Sequence, residues 1–134
     1  MTYLVAYVTV LIVFGAIDAV WLSTMGPIVY RPALGDILLP SLRIAPAIVF
    51  YLMYPIGVVV FAVLPALRAQ SLSAAFTLAL LFGALAYATY DLTNYATLRN
   101  WNLQITALDV VYGALASGIA ATLACIVVRM IGRA

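Results

Sequence analysis

The chain has 134 residues, 68% hydrophobic and 7% charged, with a formal net charge of +2. A water-facing surface draws on about 25% charged residues, so this supply excludes an ordinary soluble domain, and so small a net charge excludes a nucleic-acid partner. Every basic residue is Arg and every acidic one Asp; with no His and one Cys, haem, zinc and copper sites of ordinary ligation are excluded, as is an internal disulfide. No metal and no other cofactor is expected.

Four apolar stretches are each long enough to cross a hydrocarbon core of about 30 Å. They predict an all-α, integral membrane four-helix antiparallel bundle, a single domain over 1–134, with spans at about 3–23, 46–67, 72–98 and 106–129. The first span should end before Gly26-Pro27. It lacks a basic leader and carries Asp18 and Trp21 near its end, so it reads as a retained helix and not a signal peptide. Residues 24–45, with Pro32, Gly35 and Pro40, read as a long link whose Ile28, Val29, Tyr30 and Ile37-Leu38-Leu39 lie in the membrane interface.

The second span starts near Pro46, which suits a first helical turn. It should bend near Pro55, where a missing N–H frees a carbonyl. Ser71 or Ser73 caps the third. At the fourth, Thr106-x-x-Asp109 has the spacing of a capping box. Further along, Gly113, Ser117 and Ala121, beside Ala114, Gly118 and Thr122, recur every four residues and predict a close-packing seam. Cys125 reads as a small core hydrophobe.

An even number of spans puts both termini on one side, with Arg68, Arg129 and Arg133. Arg31, Arg43 and Arg99 fall on the other side, which makes the raw count a tie. The second group shares its side with all four aspartates, and discounting it as paired leaves the termini cytoplasmic.

An ionisable group within a span costs about 2.5–3.5 kcal/mol on insertion scales and calls for a partner. Asp18 lies near the exit of the first span, Asp91 near the exit of the third and Asp109 near the entry of the fourth, so alternating directions bring all three to one leaflet. Tyr87, Asp91 and Asn94 share a helical face. With Trp21, Tyr90, Thr97, Trp101 and Tyr112 they predict a polar, aromatic-walled pocket, for which Arg99, Arg31 and Arg43 could supply counter-charge. Each member also has a plain structural role available: Asp109 as a cap, Trp21, Trp101 and the tyrosines as interface-belt residues, Asp91 as a hydrogen-bonding group.

The runs Phe50-Tyr51-Leu52-Met53-Tyr54-x-x-Gly57, Phe61-Ala62-Val63-x-Pro65-Ala66-Leu67, Tyr87-Ala88-Thr89-Tyr90-Asp91-Leu92-Thr93-Asn94-x-Ala96-Thr97-Leu98-x-x-Trp101 and Asp109-x-x-x-Gly113, with Asp18-x-x-Trp21-Leu22, resemble a bacterial membrane family, the domain of unknown function DUF2177. The resemblance covers nearly the whole chain. Asn102 stands where that family often has Pro, and Tyr112 where it often has Trp. It implies a four-span protein of the bacterial inner membrane and supplies no activity. No nucleophile or cofactor fingerprint points to catalysis. The residues favour a protein that binds a lipid or apolar metabolite, with membrane lipids as its first partners. Two alternatives stand beside it: a non-catalytic subunit or assembly factor, joined to a membrane-protein partner or a second copy, and a small proton-coupled transporter.

Overall fold

A computed structural model describes residues 1–39 and 43–133. Pro40 of the expected link lies outside them. Four helices are long and apolar enough to cross a membrane: Thr2–Leu34, Ile44–Ala69, Leu72–Thr97 and Leu103–Arg133. No strand occurs among the described residues.

The first helix does not stop at Gly26-Pro27 but continues to Leu34. It does so by widening into one π turn, Gly26–Tyr30, in which the Arg31 N–H bonds to the Gly26 carbonyl, and Pro32 follows directly. The second helix repeats the device. A π turn over Val59–Val63 carries a bond from the Leu64 N–H to the Val59 carbonyl, and Pro65 comes next. A proline ring collides with the carbonyl four residues back in a regular α-helix. A wider turn just upstream moves that carbonyl aside and keeps the helix continuous. Pro55, the expected bend, sits inside the unbroken stretch Ile44–Val58, and the distortion falls at Val59–Val63.

Between the second and third helices the chain turns in two residues. Gln70 takes a left-handed conformation at φ 53°; its N–H bonds to the Leu67 carbonyl, and the Ser71 N–H bonds to that of Ala66. This paired closure satisfies the carbonyls of the helix end. Ser71 then caps the third helix, its hydroxyl accepting from the Ala74 N–H at 3.0 Å. The fourth helix begins at Leu103, earlier than expected, because Asn102 caps it by accepting from the Ile105 N–H at 2.9 Å. Neither Thr106 nor Asp109 is needed there. An Asn side chain one residue ahead of the first turn reaches an orphan N–H more directly than a side chain already within the helix.

The fourth helix is the centre of the bundle. Ala116, Ser117, Ala120, Ala121, Ala124 and Cys125 are fully buried, and lipid is left one stripe at four-residue spacing, Val111, Leu115, Ile119 and Leu123. Hydrocarbon exerts no hydrophobic force between helices, so the bundle relies on close van der Waals packing and a few hydrogen bonds. The small-residue seam provides the first. A β-carbon on Gly83 of the third helix would sit 2.5 Å from the Gly113 carbonyl oxygen and 2.6 Å from the Ser117 hydroxyl, and one on Gly113 would enter the Tyr87 ring. The second comes from Tyr54, whose hydroxyl lies 2.7 Å from that of Ser117, and from Tyr7, which donates to the Leu52 carbonyl at 2.8 Å. Gly83→Ala should therefore lower stability in detergent by about 1–3 kcal/mol through overpacking. Gly15→Ala, where nothing lies within 4 Å, should raise it by about 0.5–1 kcal/mol. Thermal unfolding of the two variants side by side checks both.

Candidate functional site

Three aspartates meet at the end of the bundle where the first helix stops and the fourth starts. Asp18, Asp91 and Asp109 are all buried, Asp91 completely. The partners that the sequence proposed for them were arginines. The structure supplies phenols instead, for Asp18 and Asp109. Tyr112 donates its hydroxyl to Asp18 Oδ1 at 2.6 Å, and Tyr51 donates to Asp18 Oδ2. Tyr30 donates to Asp109 Oδ1 at 2.7 Å and accepts from the Trp21 indole N–H at 3.1 Å. Arg31, Arg43 and Arg99 have exposed side chains. A guanidinium reaches the membrane surface at little cost by extending along its stem, whereas a phenol is at home in the apolar interior and still carries a donor.

Asp91 is different. Both of its carboxyl oxygens are buried without a hydrogen-bond donor among the described residues. Its neighbour across the seam is Asp109. The third and fourth helices pack with Gly83 against Gly113 and Ser117 and with Tyr87 against Gly113, so Asp91, one turn beyond Tyr87, lies opposite Asp109, one turn before Gly113. Asp109, like Asp91 itself, can only accept when ionised.

Aromatic rings fill the space around these groups. Trp21 stacks on Tyr112 with ring centres 4.3 Å apart and planes at 12°. Tyr87 meets Tyr112 edge-on at 6.0 Å and Tyr54 at 6.1 Å, and Tyr54 packs on Phe14 at 4.9 Å. Such edge-on and offset pairs add about 0.5–1.5 kcal/mol each beyond their burial. The rings that were expected to wall a pocket therefore occupy its interior. The open space lies outside them, in two shallow grooves on either side of the Trp21–Tyr112 stack. One, of about 420 Å³, is lined by Ala16, Ile17, Val20, Trp21 and Tyr112. The other, of about 320 Å³, runs between the first and fourth helices along Ile17, Trp21, Val111, Tyr112, Leu115 and Ile119. Both linings are almost wholly apolar.

Of the residues singled out by sequence, the structure joins Asp18, Trp21 and Tyr112 in one network and Asp91 and Asp109 in a facing pair, with Tyr87 between them. Tyr90 is largely exposed and meets the Trp101 ring edge-on at 5.6 Å. Trp101 is buried against Leu34 and Ile105, and its indole N–H donates to the Thr106 hydroxyl at 3.1 Å. It is a packing anchor between the first and fourth helices. Thr97 bonds back to the Thr93 carbonyl on its own helix, and Arg99 is exposed, so neither joins the carboxylates. Asn94 is half-buried. Groups of three acidic, Cys or His side chains able to hold a metal ion are absent among the described residues.

Two central residues escaped the sequence reading. Tyr30 was assigned to an interfacial link, yet the π turn carries it on the first helix to Asp109. Tyr51 appears in the Phe50–Tyr54 motif without a role. Its spacing of three from Tyr54, which sets both phenols on one helical face, was the available signal.

A family model described as a predicted membrane protein, DUF2177, matches residues 3–126. No curated protein matches, and no solved structure does.

Removing one donor from Asp18 leaves a buried acceptor short of a partner. Tyr112→Phe should cost about 1–3 kcal/mol in detergent unfolding, and much less in an Asp18→Leu background, where the acceptor is gone as well. Equal losses in both backgrounds would show that the phenol acts by packing alone.

Proposed function

The chain belongs to the DUF2177 family of predicted membrane proteins, and we propose that this member binds a membrane lipid or another long apolar molecule in the groove between its first and fourth helices. The observation that carries this reading is the groove's construction. Its walls are aliphatic, its floor is the stacked Trp21–Tyr112 pair, and the Tyr112 phenol behind that floor is held by Asp18. Small-molecule sites commonly have this make-up: several hundred cubic ångströms of apolar surface and a few fixed polar groups.

A chain lying lengthwise in the groove contacts Ile17, Val111, Leu115 and Ile119. The stack fixes where it lies, because Tyr112 cannot turn away without giving up its bond to Asp18. The Trp21 indole is fixed in the same way through Tyr30. Rigid aromatic surface of this kind loses little side-chain freedom on binding, which favours affinity. A bacterial inner-membrane location follows the family; the arginines, three on each side and with Arg31, Arg43 and Arg99 exposed, give no net positive-inside bias to set the side of the termini.

Lipid analysis of protein purified in mild detergent tests the reading. The wild type should retain a defined lipid or apolar molecule after exhaustive detergent exchange. Val111→Trp, which fills the groove from its exposed edge, should retain at least about tenfold less, corresponding to roughly 1.4 kcal/mol. Leu123→Trp, on the same lipid-facing stripe but outside the groove, should retain as much as the wild type. Equal retention by both variants would sink the groove assignment.

A further inference from the structure

We propose that Asp91 and Asp109 form a single-proton site, in which one proton is held between two facing carboxyl groups inside the bundle. The inference rests on their geometry and stands whether or not the groove binds lipid. Asp91 is fully buried, and neither oxygen has a hydrogen-bond donor among the described residues. The group it faces across the seam between the third and fourth helices is another carboxyl, to which Tyr30 gives the one hydrogen bond it receives among the described residues.

Two ionised carboxylates in this position would repel each other, with the nearby guanidinium groups of Arg31, Arg43 and Arg99 turned outward. One proton removes the repulsion and creates the missing donor, since a protonated carboxyl donates to its ionised neighbour. Paired aspartates that share a proton are an established chemical arrangement. A metal ion is the other way to balance the charge. It would need several oxygen ligands and room for them, and the two aspartates bring only one further group, the Tyr30 phenol, which is already donating.

The groups packed around the pair do not supply the charge by another route. The first helix contributes Tyr30 and, behind it, Trp21. The third contributes Tyr87, Tyr90 and Asn94, and the fourth contributes Tyr112, whose proton is committed to Asp18. The second helix presents Tyr51, also committed to Asp18. Arg31, Arg43 and Arg99 are exposed, and among the described residues none of them bonds to these carboxylates. Asp18, which receives two phenol donors, marks the contrast. The same fold satisfies one carboxylate with phenols and leaves another to a proton.

Infrared spectroscopy of the full chain in lipid nanodiscs at neutral pH reads the site directly. The wild type should show the carbonyl stretch of a protonated carboxylic acid, shifted by deuterium exchange. Asp91→Asn and Asp109→Asn should each lose it, because the substituted amide becomes the donor to the remaining carboxylate. Two variants keep the test open if one fails to fold. Asp18→Asn should leave the band in place. Absence of the band from the wild type, or its survival in both pair variants, would overturn the proposal. So would a thermal stability that rises with sodium but not with choline and loses that dependence in Asp91→Asn, since the occupant would then be a metal ion.

Discussion

The arrangement of this bundle depends on how carboxylates are kept inside an apolar protein without arginine. A carboxylate in hydrocarbon must be given donors, and here they come from side chains that pack as hydrophobic bodies. Tyr30, Tyr51 and Tyr112 each bring a ring to the core and a hydroxyl to an aspartate. These bonds tie distant parts of the chain together. Asp18 of the first helix is held from the second and the fourth, and Asp109 of the fourth is held from the far end of the first. Association between membrane helices lacks a hydrophobic driving force, so bonds that bridge helices matter here out of proportion to their number.

Close packing makes those bonds possible. Gly83 and Gly113 let the third and fourth helices approach until a β-carbon would not fit between them. That approach brings Tyr87 over Gly113 and places Asp91 against Asp109. With bulkier residues along the seam, the helices would stand apart and lipid or water would reach the carboxyl groups. The small residues thus act on the polar end of the molecule although none of them is polar there. Their burial on the fourth helix also explains why that helix leaves a narrow stripe to lipid and the first helix a broad face.

The two π turns serve the same end. Each lies immediately before a proline, at Gly26–Tyr30 before Pro32 and at Val59–Val63 before Pro65. The extra residue in the turn shifts the register of everything that follows. In the first helix the result is that Tyr30 points at Asp109 and Leu34 packs on Trp101 and Ile105. A helix ended at Gly26-Pro27 would have left Asp109 without its donor and the start of the fourth helix without its cover. The prolines therefore act as register devices and not as breaks.

Composition and run length alone determined the class and the number of helices, because a bilayer requires long apolar segments and a charged surface cannot be built from so few charged residues. Helical spacing determined that Tyr87, Asp91 and Asn94 share a face and that Gly113 and Ser117 lie on a seam; these are properties of one helix, which local geometry fixes. The positions of Asp18, Asp91 and Asp109 near span ends showed that they meet. Which group partners which was decided only by the tertiary structure. Tyr30 reaches Asp109 through a π turn that periodicity does not signal, and Asp91 faces a carboxyl and not an arginine. Each of these depends on the rotation of one helix against another. That rotation is set by glycine contacts and by a one-residue change of register, and neither is written in any single segment of the chain.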